Sequence, residues 1–198
     1  MKRRAANPET SAGPEAKGVR NPIKMIRAAI LTIRDSAVAG TREDRSGPAL
    51  SESVRQNGWT IAHTKVVRDE IDQIAPEIAA WADSGNVDVI LCTGGTGLAP
   101  RDVTPEAVHS IAAREVPGFG EVMRAEGRKS ARFAALSRSG AFTRGASLIL
   151  TLPGSPRGAV ESLSAVVDLI PHAVNLLHGE TSHEKEKLGM EGKHPMKG

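Results

Sequence analysis

Four short segments of the sequence combine glycine, serine, threonine and aspartate, the residue types that suit a phosphate site. They are centred on Asp44, on Asp69, on 93–102 and on 154–155. Glycine lets the backbone approach a ligand closely, so N–H groups can point at an anion, and a helix beginning directly afterwards adds favourable dipole charge. Carboxylates in the same place would repel a bare phosphate unless a hard cation such as Mg²⁺ lies between them. The combination therefore predicts Mg²⁺-dependent phosphate chemistry.

The generic nucleotide motifs are missing from these segments. The glycine-rich stretch at 93–97 lacks the Gly-Lys-Ser/Thr ending of a P-loop, and its glycines do not have the spacing of a dinucleotide-binding fold. Asp102 is the strongest functional candidate, because an Arg-Asp pair between this stretch and a helix start has no evident structural role. Asp44 and Asp69, taken alone, are more typical of turns or helix caps.

Other residues with reactive side chains are better explained by structure than by chemistry. Ser155 lies in Gly-Ser-Pro rather than in a nucleophile elbow, so we expect it to be a helix cap or an anion donor. Cys92 ends a strongly apolar run and is expected in the core. His178 and His183 have no fixed zinc spacing, and we expect them to be solvated.

The chain between 23 and 180 alternates apolar runs with amphipathic segments. Strands are predicted at 26–33, 59–67, 87–92 and 147–152. A polar loop is predicted at 34–45. Helices are predicted from Ser46 to near Gly58, from about residue 70, from Thr104, at 121–130, and from about residue 153 to His178. Pro76 should mark a kink or the first turn of the second helix, and Pro171 should bend the last one. This alternation predicts an α/β domain with a mainly parallel sheet. Ligands bind beyond the carboxyl ends of parallel strands, so the four segments should meet at one edge.

The two ends of the chain differ from its body. Residues 1–22 and 181–198 are predicted to be disordered tails that flank a domain at 23–180. The net charge is +3, but 21–180 holds 17 of the 26 basic residues and 18 of the 23 acidic ones, a net of −1. With two Trp, three Phe and no Tyr, a base-stacking surface is also disfavoured. We therefore expect no nucleic-acid partner.

The number of cysteines and the hydropathy of the sequence indicate where in the cell the protein is located. A single cysteine excludes an internal disulfide, which fits a reducing cytoplasm. The basic start is not followed by the apolar run of about 7 to 15 residues found in secretory signals. No window approaches the roughly 20 apolar residues of a membrane span. We expect a soluble cytoplasmic protein without a membrane partner.

The motifs, taken in order, resemble those of the MoaB/Mog family of molybdenum cofactor biosynthesis proteins, which includes molybdopterin adenylyltransferases. The resemblance covers about residues 25–180, and the motif that follows the third strand is highly specific. The four motifs are Asp44-Arg45-Ser46-Gly47-Pro48, then Thr93-Gly94-Gly95-Thr96-Gly97 with Arg101-Asp102-Val103-Thr104-Pro105-Glu106-Ala107, then Pro117-Gly118-Phe119-Gly120-Glu121, and finally Leu152-Pro153-Gly154-Ser155-Pro156.

The resemblance implies a three-layer α/β/α molybdopterin-binding fold that assembles as a homotrimer or a pair of trimers. It implies Mg²⁺-dependent transfer of AMP from ATP to the terminal phosphate of molybdopterin, a pterin dithiolene, with release of pyrophosphate. The family's essential carboxylates match Asp69 and Asp102, which are expected to be catalytic and to hold Mg²⁺. A downstream metal-insertion protein is a candidate partner. The family's pterin and nucleotide loops match Asp44, Ser46, Gly47, Gly94, Gly95, Thr96, Gly97, Arg101, Gly154, Ser155 and Pro156.

Three alternatives to this enzyme stay open from the sequence. The first is a non-catalytic protein of the same family that binds or delivers molybdopterin without turning over ATP. The second is a nucleic-acid-binding module, which the net charge of the body disfavours. The third is the competence/damage-inducible family, which has a related fold but lacks the Arg-Asp-Val-Thr-Pro ending present at 101–105.

Overall fold

The computed structural model describes residues 25–38, 40 and 43–180, so both predicted tails lie outside the described residues. Within these ranges the chain forms one six-stranded sheet with helices on both faces. The strands are β1 Arg27–Ile33, β2 Thr60–Val67, β3 Val89–Thr93, β4 Arg114–Glu115, β5 Gly140–Arg144 and β6 Ser147–Leu152.

The sheet has the strand order β2-β1-β3-β6-β5-β4 and is mostly parallel. β2, β1, β3 and β6 run in one direction, whereas β5 is antiparallel to β6 and β4 is antiparallel to β5. The register places Thr32, Thr93 and Leu152 side by side at the carboxyl ends of β1, β3 and β6. The loops that follow these three strands therefore start from the same level.

Seven α-helices and one 3₁₀-helix surround this sheet in the described part of the chain. One face carries α2, α5, α6 and α7, and the other carries α3 and α4, so the fold is the predicted three-layer α/β/α arrangement. The α-helices are α1 Asp35–Val38, α2 Ser46–Gln56, α3 Ile71–Asp83, α4 Thr104–His109, α5 Pro117–Gly127, α6 Pro156–Ser164 and α7 Ile170–Leu177, and the 3₁₀-helix is Arg132–Leu136.

The core lies on both faces of the central strands. Every residue of β3 is buried, because alternate side chains enter opposite layers. Leu91 packs among α2, α5, α6 and α7, and Ile90 packs against α3 and α4. Burying such a side chain contributes roughly 2 kcal/mol. Cys92 is fully buried on the Ile90 side, as predicted, and burial raises the pKa of its thiol.

The structure corrects several predicted boundaries. β4 and β5 were not predicted, α5 begins at Pro117 rather than near residue 121, and the predicted 34–45 loop contains the single turn α1. The long helix predicted up to His178 is two helices, because a turn at 165–169 separates α6 from α7 and Pro171 lies in the first turn of α7. Pro76 lies inside α3, which already begins at Ile71.

The prediction for His178 was wrong. Its side chain is only 20% exposed, and its Nε2 atom lies 3.1 Å from Oδ1 of the buried Asp88, to which Arg27 also donates. His183 lies outside the described residues. None of the helices within the described ranges combines the length and apolar character that crossing a bilayer requires.

Candidate functional site

The glycine-rich loop after β3 is held between the ends of two neighbouring strands. Gly94 N donates a hydrogen bond of 3.1 Å to Leu152 O, and Thr93 Oγ1 donates one of 2.7 Å to Pro153 O, both beside the end of β6. Gly94 has a φ of 111°, and a Cβ there would overlap the carbonyl oxygen of Ile33 at the end of β1. Only glycine therefore suits this position.

The next residue of the loop brings Asp69 and the start of α4 together. Thr104 Oγ1 donates 2.8 Å to Gly94 O, and Thr104 N donates 3.1 Å to Gly95 O. A Cβ on Gly95, whose φ is 59°, would overlap Thr104 Oγ1 and would lie 3.1 Å from Asp69 Oδ1. The missing side chain thus lets the loop backbone lie directly against the Asp69 carboxylate.

Asp69 stands at the junction between β2 and α3 and is tied to the junction after β1. Asp35 N donates 3.0 Å to Asp69 Oδ2, and Asp69 N donates 3.2 Å to Asp35 Oδ1. Burial raises the pKa of Asp69, with the hydrogen bond from Asp35 N and the Arg101 charge opposing the shift and the carboxylates of Asp35 and Asp102 adding to it. Asp69 is therefore a partly buried carboxylate that lies near two further carboxylates and one arginine.

Asp102 approaches the same loop at its other end. Its Oδ2 accepts a 2.8 Å hydrogen bond from Ala99 N, and a Cβ on Gly97 would lie 2.7 Å from that oxygen. The expectation that Asp102 lacks a structural role was wrong, because this bond closes the turn at 99–102. The carboxylate nevertheless lines a depression, described below, where a ligand can reach it.

Arg101 does not line either of the depressions that contain the two carboxylates. Its Nη2 and Nε donate to Asp35 Oδ2 at 2.6 and 3.1 Å, and Nη2 lies 3.9 Å from Glu70 Oε1. The side chain is 60% exposed. Arg101 thus contributes an exposed cation beside Asp69, already paired with Asp35.

Asp44, Ser46 and Gly47 form the start of α2. Asp44 Oδ1 accepts from Ser46 N at 2.9 Å and from Gly47 N at 3.0 Å, and its Oδ2 accepts from Thr32 Oγ1 at 2.9 Å. The helix begins at Ser46 as predicted, and the side chain that accepts from its first N–H groups is that of Asp44. Ser46 is buried, and its Oγ donates 2.8 Å to Gly154 O, which joins this segment to the loop after β6.

The loop after β6 completes the rim. A Cβ on Gly154 would lie 3.2 Å from Gly94 Cα, so the two glycine-containing loops are in close contact. Ser155 is the N-cap of α6, and its Oγ accepts from Gly158 N at 3.2 Å, as predicted. Pro156 is the first residue of α6 and lines neither of the depressions that contain Asp69 and Asp102.

Two depressions lie on either side of the contact between these loops. The larger, about 530 Å³, contains Asp102, and the smaller, about 320 Å³, contains Asp69. Gly95, Gly154 and Ser155 line both. Asp44 and Gly47 instead line a separate depression of about 330 Å³ between α2 and β2.

Several lining residues were missed by the sequence reasoning. The larger depression has an apolar wall that includes three exposed side chains, Leu98, Phe133 and Leu136, at 67%, 74% and 54% exposure. Arg138, which follows the 3₁₀-helix, contacts the glycine-rich loop through its backbone and its guanidinium. Leu98 lies within the predicted 93–102 segment. No local pattern marks Phe133, Leu136 or Arg138, because they reach the site only through the packing of α5 and the 3₁₀-helix.

The described ranges contain no group of three or more metal-ligating side chains placed to hold a metal ion. Mg²⁺ does not need such a cage, because it commonly binds through one or two carboxylates together with substrate phosphates. Burial raises the pKa of Asp69, and repulsion from the Asp102 carboxylate adds to the shift. Carboxylate oxygens of this kind suit a hard divalent cation.

The family that matches this chain and two of its relatives are named for molybdopterin. The family described as "Probable molybdopterin binding domain" matches residues 29–172. A "Molybdopterin adenylyltransferase" of Helicobacter pylori (strain J99) is 38% identical over 83% of this chain and 95% of its own length. The crystal structure of the molybdopterin biosynthesis enzyme MoaB from Thermus thermophilus is similar with a TM-score of 0.74 and 46% identity, covering 78% of this chain and 98% of that one.

A longer relative aligns only in part. The "Molybdenum cofactor biosynthesis bifunctional protein" of Synechococcus elongatus is 40% identical over 77% of this chain, and the chain spans 47% of its length. The similarity therefore concerns one portion of that protein.

Proposed function

Because the chain belongs to the MoaB/MogA molybdopterin-binding family of molybdenum cofactor biosynthesis, we propose that it is a molybdopterin adenylyltransferase. In this reaction the terminal phosphate of molybdopterin attacks the α-phosphate of ATP, a phosphoric anhydride bond forms, and pyrophosphate leaves. The proposal assigns catalytic roles to Asp69 and Asp102.

The observation that carries the proposal is the position of the glycine-rich loop between the two carboxylates. Gly95 lies against Asp69 and Gly97 lies against Asp102, with no side chain between the backbone and either carboxylate. Among the described residues, the N–H groups of Gly95, Thr96 and Gly97 donate to no backbone carbonyl, so they could serve as donors to a ligand anion. Backbone donors beside carboxylates suit a metal-bound phosphate better than a neutral ligand.

The tasks of this chain in the reaction are positioning and charge compensation. The nucleophile is already a phosphate oxygen, so no strong general base is required. The N–H groups at 95–97 would orient phosphate oxygens, and Ser155 would contribute to the rim that both depressions share. The apolar wall of the larger depression would exclude water beside Asp102.

Asp69 and Asp102 would hold Mg²⁺, and Arg101 would remain beside them as a cation. When bound, Mg²⁺ would supply Lewis-acid stabilisation of negative charge on the transferring phosphoryl group. The two carboxylates would thereby be relieved of their repulsion, which fits the raised pKa of Asp69.

The test is to mix the purified protein with molybdopterin, ATP and MgCl₂ and to measure pyrophosphate release together with adenylylated molybdopterin. We expect both products in equal amounts, with a requirement for Mg²⁺. Tight binding of molybdopterin without pyrophosphate would identify a non-catalytic binding protein of the same family instead. Such an outcome would overturn the proposed activity while leaving the family assignment intact.

Assembly and localisation follow from the family resemblance and remain proposals. We propose a cytoplasmic homotrimer or pair of trimers, and a metal-insertion protein as the recipient of the product. Sedimentation of the purified chain tests the first point, since a monomer at micromolar concentration would contradict it.

A further inference from the structure

Arg138, which was not among the residues predicted from the sequence, donates hydrogen bonds to three carbonyls of the loop between β3 and α4. It follows the 3₁₀-helix and precedes β5, and its side chain is 32% exposed. Arg138 N donates 2.9 Å to Thr96 O, and Arg138 Nε donates 2.7 Å to Gly97 O. Its Nη2 donates to Asp102 O, and its Nη1 pairs with Glu106 Oε1.

These contacts reach both ends of the segment that carries the Asp102 carboxylate. A guanidinium is planar, and its N–H groups point in fixed directions, so two carbonyls bound to it are held in a fixed relation. The loop contains Gly94, Gly95 and Gly97, whose backbone conformations are otherwise weakly restricted. Glu106, in the first turn of α4, in turn orients the guanidinium.

The Asp102 carboxylate is therefore fixed from two sides. Its Oδ2 accepts from Ala99 N within the loop, while the carbonyl of the same residue accepts from Arg138 outside it. Loss of the guanidinium would free the peptides at 97 and 102 without removing any group that lines the smaller depression. Asp69 keeps all its recorded partners in that case.

We infer that Arg138 is a positioning residue, which holds the Gly97 peptide and the Asp102 carboxylate in the geometry that adenylyl transfer requires. The effect of Arg138 on the rate of adenylyl transfer rests on the proposed function. Arg138 itself is directed at backbone carbonyls and Glu106, so it acts through Asp102 rather than on the substrate. Displacing a catalytic group by about 1 Å can cost on the order of a hundredfold in rate.

The test compares Arg138→Ala with Arg144→Ala. Arg144 is a matched control, because it also binds one carbonyl, Ile111 O at 2.7 Å, and one carboxylate, that of Asp83, but on a different part of the surface. We expect Arg138→Ala to lower kcat for pyrophosphate release by about a hundredfold and to change the KM for ATP by less than about threefold. Arg144→Ala should keep the wild-type kcat.

A second readout separates positioning from a general loss of structure. Millimolar guanidinium chloride should restore part of the activity of Arg138→Ala, because the free ion can occupy the vacated position, and should not stimulate Arg144→Ala. If Arg138→Ala does not fold, Arg138→Lys replaces it, with an intermediate loss expected because one ammonium cannot bind both carbonyls in the same geometry. A kcat within twofold of wild type for Arg138→Ala, or for Arg138→Lys where it replaces the alanine variant, would overturn the inference.

Failure of the proposed function is distinguishable from failure of this inference. If the wild-type protein releases no pyrophosphate, the proposed function is wrong, and an effect of Arg138 on the rate of adenylyl transfer is excluded with it. Amide hydrogen exchange then decides whether Arg138 fixes the loop. Exchange at 97–103 should be faster in Arg138→Ala than in wild type and Arg144→Ala, and unchanged exchange would overturn the inference.

Discussion

Asp69 and Asp88 lie at opposite ends of the same sheet, and their surroundings differ in charge. Asp88, at the amino end of β3, is 1% exposed and accepts three hydrogen bonds from Arg27, at 2.8 Å from N, 3.0 Å from Nε and 2.7 Å from Nη2. His178 Nε2 lies 3.1 Å from the same carboxylate. Asp69, at the carboxyl edge, accepts one backbone hydrogen bond and faces two further carboxylates.

The difference in surroundings gives pKa shifts of opposite sign. Burial disfavours the ionised form of Asp88, but the hydrogen bonds and charge of Arg27 outweigh it, so the pKa of Asp88 falls below its ordinary value. For Asp69 burial prevails and the pKa rises. Both groups are aspartates of one domain, and Asp69, whose pKa is raised, lies in a depression open to a ligand. A perturbed pKa in a cleft is typical of functional sites.

The largest expected effect is on catalysis at the carboxyl edge. Asp102→Asn removes the negative charge while keeping an oxygen that can accept from Ala99 N. We expect pyrophosphate release to fall by at least about a hundredfold while molybdopterin binding stays measurable. Steady-state assays and equilibrium binding check the two parts. Asp83→Asn, the same change in an exposed carboxylate that pairs with Arg144, is the control and should keep wild-type activity.

The next effect is on stability at the amino edge. Asp88→Asn leaves the Arg27 guanidinium, which is 31% exposed, without its carboxylate, and the loss of these charge-assisted hydrogen bonds costs about 2 kcal/mol. Urea unfolding at pH 7 measures this change in the free energy of unfolding. Because the folded-state pKa of Asp88 is lowered, its stabilisation is present at neutral pH and is lost as the pH falls below about 4. The difference in the free energy of unfolding between wild type and Asp88→Asn should therefore become smaller below that pH.

Asp83→Asn is again the matched control, since Asp83 also pairs with an arginine but has a side chain that is 55% exposed. It should change the free energy of unfolding much less than Asp88→Asn does. Equal losses for the two variants would contradict the distinction between a buried and an exposed pair.

The smallest effect is a gain in stability at the site itself. Since the pKa of Asp69 is raised, its ionised form costs stability at neutral pH, and the cost disappears as the pH falls below that raised pKa. Asp69→Asn should therefore stabilise the folded protein at pH 7, by about 0.5 kcal/mol because the site is partly open to solvent. Thermal unfolding at pH 7 and at pH 4 checks both points. A loss of stability at pH 7 would show that Asp69 is a structural carboxylate like Asp88.

The parallel half of the sheet could be predicted from the sequence because its strands are continuous apolar runs. β3 and β6 are buried on both faces, and buried strands of this kind differ clearly from the surrounding helices. β4 has two residues and β5 begins at a glycine and ends at an arginine, so neither has a comparable signal. Only pairing with β6 makes β5 a strand, and that pairing is a tertiary property.

The candidate site could be predicted as far as it consists of loops that follow parallel strands. Gly94, Asp69 and Gly154 meet because β2, β1, β3 and β6 end at nearly the same level. Arg138, Phe133 and Leu136 could not be predicted, since their positions depend on how α5 and the 3₁₀-helix pack beside the loop. The assignments of Asp69 and Asp102 as catalytic and metal-binding residues stay predictions until the variants above are measured.

The burial of Cys92 has a practical consequence for a protein proposed to handle a sulfur-containing pterin. The sequence has one cysteine, and it is fully buried in β3. Thiol exchange requires an accessible thiolate, and burial raises the pKa of this thiol. The folded protein therefore offers no sulfur of its own to form a mixed disulfide with a dithiolene ligand. A cysteine introduced on the surface would be the one reactive thiol, so a single fluorophore could be attached beside the site without removing a native residue.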